Sequence, residues 1–174
     1  MPTPDRTSLA AIVDAGRDLL ELGGPSKVTM QAVADRVGVR APSLYKRVRD
    51  RDALLQLIAD ATVDDLGARL AASDGALAEL ARTYRAFAKR HPEGFRLMYA
   101  VSGSADALRR ASEPVLAAAR DAVGAEHALD EARLLVAWAT GFINMELAGA
   151  FRLGGDVDAA FAYGLARIEA GPAR

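Results

Sequence analysis

Apolar residues recur at three- and four-residue intervals along nearly the whole chain, and runs with the two-residue alternation of a half-buried strand are absent. That pattern predicts an all-α protein. A first helix is expected from about Thr7 to Leu22, with Leu9, Ile12, Val13, Gly16, Leu19 and Leu20 on one stripe, and Gly23-Gly24-Pro25-Ser26 breaks it. In the next segment Met30, Val33, Ala34 and Val37 share a face. Thr29 stands where its hydroxyl can satisfy a first-turn N–H, and Gly38 where a left-handed residue ends a helix. A further helix is expected to start near Pro42, whose fixed φ and missing N–H suit the first helical position. Two short helices joined by a glycine turn of three to four residues make a helix-turn-helix. Leu44 and Val48 would complete its small core with Val33, Val37 and the first stripe.

Asp50 is placed to cap a long helix over about 51–72, carrying Leu54, Leu55, Leu57, Ile58, Val63, Leu66 and Leu70. The expected division is a DNA-binding domain of residues 1–54 and a helical domain of residues 55–174. In the latter, helices are predicted over about 76–90, 93–100, 105–123, 129–151 and 157–169. Pro114 would kink or split the third of these, Val101 to Ser104 reads as a loop, and Gly154-Gly155-Asp156 would cap the last.

Charge sharpens the picture at one place. From Arg36 to Arg51 there are six cations (Arg36, Arg40, Lys46, Arg47, Arg49, Arg51) against Asp50, a local excess of +5 in a chain whose total is −1. A solvated arginine-rich helix face would look the same in isolation. Joined to a helix-turn-helix, the patch points to DNA.

The same residues carry a family likeness. Thr29, Val33-Ala34, Gly38-Val39, Leu44-Tyr45, then Lys46-Arg47-Val48 and Arg51 resemble, in order and spacing, the helix-turn-helix of TetR/AcrR bacterial transcriptional regulators. Arg40 replaces the small hydroxylic residue usual after the glycine-valine pair, so the recognition helix needs its cap from elsewhere. Arg47 stands where histidine is common. Further on, Ala137-Trp138-Ala139-Thr140-Gly141-Phe142-Ile143, followed by Glu146-Leu147-Ala148-Gly149, resembles the W-x-x-H-G ligand-binding domain of a TetR subgroup. Thr140 takes the histidine position, so no role of that histidine carries over. The resemblance implies a dimeric regulator, expected to repress from a palindromic operator until a small effector releases it.

Helix-turn-helix geometry places Arg40, Ala41, Pro42, Ser43 and Lys46 at or near base edges, and Thr29, Tyr45, Arg47, Arg49 and Arg51 on the phosphate backbone. A symmetric homodimer would supply two such helices, with Gly141, Ala148, Gly149, Phe161 and Leu165 at its interface. A pocket for a small apolar effector would draw its walls from Tyr84, Phe87, Phe95, Met98, Tyr99, Trp138, Phe142 and Met145, with Thr140 and Asn144 as polar anchors. The alternative, of another class, is a helical small-molecule-binding or assembly protein with a vestigial helix-turn-helix.

Composition bounds the rest. With 51% hydrophobic residues, much of it alanine, 174 residues suffice for one sizeable domain or a small module on a larger one. Without cysteine there is no disulfide or thiolate metal site, and His91 and His127 stand in no ligand spacing, so neither enzyme chemistry nor a metal or cofactor is expected. The segment MPTPDRTS lacks the apolar run of a signal peptide, which points to the cytoplasm. The eighteen residues from Leu134 to Phe151 carry Glu146 and two glycines and are expected to be a covered helix, not a membrane span.

Overall fold

The computed structural model describes residues 8–101 and 104–170. Within them the regular elements are α1 (Leu9–Glu21), a 3-10 turn (Pro25–Lys27), α2 (Met30–Val37), α3 (Ala41–Leu44), α4 (Arg51–Ala71), α5 (Leu77–Arg90), α6 (Pro92–Ala100), α7 (Ala105–Val123), α8 (Ala128–Leu147) and α9 (Val157–Glu169). The all-α expectation holds. The expected helix start at Thr7 and the Ser102-Gly103 part of the loop lie outside the described residues.

Local chemistry sets most of the helix ends. Ser8, Thr29 and Asp156 each accept first-turn N–H groups at the starts of α1, α2 and α9, and Asp50 accepts the N–H of Ala53 at 2.8 Å at the start of α4. Pro114 sits inside one continuous α7, so the chain is not split there. The penultimate helix ends at Leu147, short of the expected Phe151. Gly149 takes φ 62° and the N–H of Ala150 donates to the carbonyl of Met145 at 2.9 Å, which closes the helix with a left-handed cap. No helix among the described residues is long and apolar enough to cross a membrane.

The chain divides into two compact units: one running to Asp65 and adding His91–Leu108, the other comprising Leu66–Arg90 and the residues from Arg109 on. The division falls inside α4 and places α6 with the helix-turn-helix. The first unit's core joins Ile12, Leu20, Val28, Val33, Leu44, Val48, Leu54 and Ile58 with Leu97 of α6. Glu21, at the end of α1, accepts the N–H groups of Glu93 and Gly94 at 3.1 and 2.8 Å, so a side chain of α1 caps α6. In the second unit α5 packs on α8 and α9 around Leu80, Tyr84, Phe87, Leu135, Ala139, Ile143, Phe161 and Leu165, all buried.

Candidate nucleic-acid interface

The turn between α2 and α3 is built as the glycine requires. Gly38 adopts φ 76° and ψ 37°, and the N–H of Val39 donates to the carbonyl of Ala34 at 2.9 Å. Arg40 follows in extended conformation with no side-chain cap, and Pro42 lies in the first turn of α3. That helix is a single turn. Its carbonyl at Leu44 then accepts the N–H groups of Arg47 and Val48 at 2.8 and 2.9 Å, carrying the chain round in a tight turn. The result sorts the segment by side. Leu44 and Val48 are buried in the first unit's core, whereas Arg40, Pro42, Lys46 and Arg47 are exposed and Tyr45 keeps 54% of its surface. Ala41 and Ser43 are half-buried at its root.

Thr29 is exposed and its Oγ1 accepts the N–H of Ala32 at 3.1 Å, so its hydroxyl is engaged in capping α2. The cations divide further. Arg36 is bonded to Asp18 of α1 at 2.7 Å, and Arg49 to Asp50 at 2.7 Å. The N–H of Ala53, and after it Arg49, holds the Asp50 carboxyl below the usual carboxylate range. Arg51 donates from Nε to the carbonyl of Val28 at 2.8 Å and from Nη2 to that of Pro25 at 2.5 Å. Beyond Asp50, already subtracted in the local excess of +5, Asp18 supplies a further counter-charge to Arg36; Arg40, Lys46 and Arg47 are exposed beside α3. The Arg49–Asp50 pair joins chain neighbours and is visible in the sequence; Asp18, eighteen residues from Arg36, is not.

The residues expected to wall an effector pocket fall in both units. Phe95, Met98 and Tyr99 belong to the first unit, where Phe95 is buried and Tyr99 meets it edge-on at 5.6 Å while staying exposed. In the second unit Tyr84 and Phe87 are core residues, and the hydroxyls of Tyr84 and Thr140 are 2.9 Å apart. Trp138 stacks on Phe161 at a centroid distance of 5.0 Å, and Phe142 meets it edge-on at 5.1 Å. Asn144 and Met145 are exposed on α8, whereas Tyr84 is buried. A cleft of about 330 Å³ in the first unit is lined largely by charge (Asp14, Arg17, Asp18, Glu21, Asp65, His91), unlike the apolar pocket expected. In the second unit a groove of about 470 Å³ runs along Arg82, Arg85, Lys89, Arg90 and Phe161.

Of the residues expected between subunits, Gly141, Ala148 and Gly149 are exposed. Phe161 and Leu165 are not: at 3% and 2% exposure they are covered within their own chain, with Trp138 and Phe142 of α8 against the Phe161 ring. Gly164 makes that packing possible, since a Cβ there would fall 2.2 Å from Trp138 Cζ2. The apolar surface left outside carries Leu134 and Met145 of α8 and Tyr163 of α9.

An interaction invisible to periodicity ties these helices. Arg85 of α5 donates to both carboxylate oxygens of Glu146 at 2.7 and 2.6 Å and to Asp158 at 2.6 Å, with its guanidinium 4.7 Å from the Phe161 ring centroid. Bonding to Arg85 holds the carboxyls of Glu146 and Asp158 below their usual range. Nothing in the spacing of Glu146, the one charge in its apolar segment, points to Arg85 as its partner.

Comparison with known proteins agrees with this geometry. Residues 12–58 match the family of bacterial regulatory proteins, tetR family, and residues 77–168 match the tetracyclin repressor-like C-terminal domain. The chain is 28% identical over 189 residues to the uncharacterized HTH-type transcriptional regulator Rv0681 of Mycobacterium tuberculosis, spanning 98% of this chain and 84% of that one. Its fold is shared with the transcriptional regulator SCO7222, a TetR from Streptomyces coelicolor (TM-score 0.76, 18% identity, 98% and 97% of the two chains). A TetR variant from Acinetobacter baumannii AYE, in complex with minocycline, is similar at a TM-score of 0.70 and 22% identity over 94% and 95%. Neither match identifies the W-x-x-H-G subgroup. With a helix-turn-helix that buries Leu44 and presents Tyr45 and Lys46, and with both parts matched, the chain belongs to the TetR family of DNA-binding transcriptional regulators.

Proposed function

We propose that the protein is a cytoplasmic homodimeric repressor that reads a palindromic operator through α3 and is released by a small, largely apolar effector. The observation that carries the DNA-reading part is the sidedness of α3 and its following turn: Leu44 and Val48 anchor it, while Pro42, Tyr45, Lys46 and Arg47 stand clear of the core. Arg40 and Lys46 are the base readers of this proposal, with Ala41, Pro42 and Ser43 close to the groove floor. Arg47 and Tyr45 take phosphates. The exposed apolar surface of α8 and α9 around Leu134, Gly141, Met145 and Tyr163 supports a second copy as its cover, because a patch of that kind is costly to leave in water. A dimer would set two recognition helices about 34–36 Å apart, or a multiple of that spacing. For the effector, the minocycline complex of the A. baumannii TetR variant supports a small organic ligand.

The test is duplex binding at several salt concentrations, using genomic fragments that the protein retains on a column. Affinity should fall linearly with log salt. Arg47→Ala should weaken all duplexes alike and flatten the slope by about 0.9, whereas Lys46→Ala should change the preferred sequence. Binding without sequence preference would refute the operator reading and favour a vestigial helix-turn-helix.

A further inference from the structure

Arg51 opens α4, yet its guanidinium reaches back 23 and 26 residues to the carbonyls of Val28 and Pro25. Those two carbonyls bracket the 3-10 turn that delivers the chain to α2. The corner is also held from within: the side chain of Val28 is buried in the core, and its N–H donates to Pro25 at 3.1 Å. The next residue is Thr29, the cap of α2, and the other end of α2 sets the Gly38 turn and hence α3.

An arginine grips a phosphate best through two parallel N–H groups on one edge of its planar fork. Here the edge made by Nε and Nη2 is occupied by protein carbonyls, and Nη1 lies 4.0 Å from Asp52 Oδ1. We infer that Arg51 is a positioning residue of the DNA-reading unit, clamping the corner before α2, and not a phosphate contact. Arg51 governs DNA affinity by fixing where α2 begins, and a single positive charge at this position does not suffice. The inference rests on the DNA-reading proposal for its consequence, but the clamp itself can be tested without DNA.

The experiment compares the full-length protein with Arg51→Ala, Arg51→Lys and Arg47→Ala, each first checked for folding by circular dichroism. Backbone amide exchange is followed at Val28 and Thr29, and duplex affinity is measured across a salt series. Both Arg51 variants should speed exchange at this corner while Arg47→Ala leaves it unchanged. In Arg51→Ala, affinity at fixed salt should fall about tenfold with the salt slope retained. Lysine, lacking the fork, should fail to restore it. Should the alanine variant not fold, the lysine variant carries the comparison alone. The inference is overturned if Arg51→Ala flattens the slope by about 0.9 and lysine restores both slope and affinity, the behaviour of a phosphate contact. Exchange at Val28 and Thr29 that stays at the wild-type rate in both variants overturns it equally. If the wild-type protein shows no salt-dependent binding, the DNA-reading proposal fails and with it the role in affinity; exchange at the corner then judges the clamp by itself.

Discussion

Replacing Arg85 by alanine should cost the second unit about 3–4 kcal/mol, and the loss should shrink on acidification. Its guanidinium keeps 11% of its side-chain surface and the Glu146 carboxylate 15%, so the pair is close to buried and joined by two charge-assisted bonds. Removing one member of such a pair leaves the other desolvated, at a cost of about 3 kcal/mol. The contact with Phe161 adds about 1 kcal/mol. The bond to Asp158 adds little, since that side chain is 74% exposed and water screens it. Lys89 Nζ, 3.2 Å from Glu146, can take up part of the lost contact, which sets the lower end of the range. In a chain of this size the midpoint should drop by roughly 6–16 °C in thermal unfolding at pH 7. The sign of the pH dependence follows from the carboxyls. Both are depressed in the folded state, so their contribution is fully present above their ordinary values of 4.5 and 3.8 and is lost as pH falls through the folded-state values. The gap between wild type and Arg85→Ala should therefore narrow between about pH 5 and pH 3. A gap of the same size at pH 7 and pH 3 would refute the ionic account and leave only lost packing.

Two further perturbations address single contacts. Leu44→Ala removes the buried anchor of α3 and should destabilise the first unit by about 2–5 kcal/mol in denaturant unfolding, with duplex affinity reduced even where the protein remains folded; unchanged stability would mean that α3 is held by its backbone turns alone. Gly164→Ala would place a methyl group 2.2 Å from Trp138 Cζ2 and should cost about 1–3 kcal/mol. Because Trp138 is the chain's one tryptophan, its emission should shift as the indole is displaced, and an unaltered spectrum would show that α9 can move away freely.

The helix-turn-helix was readable because it is made of near neighbours. Thr29 bonds three residues on, Gly38 closes a turn that begins at Ala34, and Leu44 and Val48 return to one face by helical repeat. Such features depend on short-range geometry that any copy of the segment carries with it, and the side of α3 that stands clear follows from the side that must be buried. Long-range partners are another matter. A positive charge does not announce whether it will meet a phosphate or a carbonyl. Only the folded first unit brings Pro25 and Val28 to Arg51, and Asp18 to Arg36. Apolar residues are equally silent about what will cover them. Phe161 and Leu165, expected between subunits, are buried within their own chain, with Trp138 of α8 stacked on Phe161. Arg85 and Glu146, 61 residues apart, meet for the same reason. Local sequence sets each helix and its faces, whereas the partner of each face and each charge is decided by which helices the whole chain brings within reach.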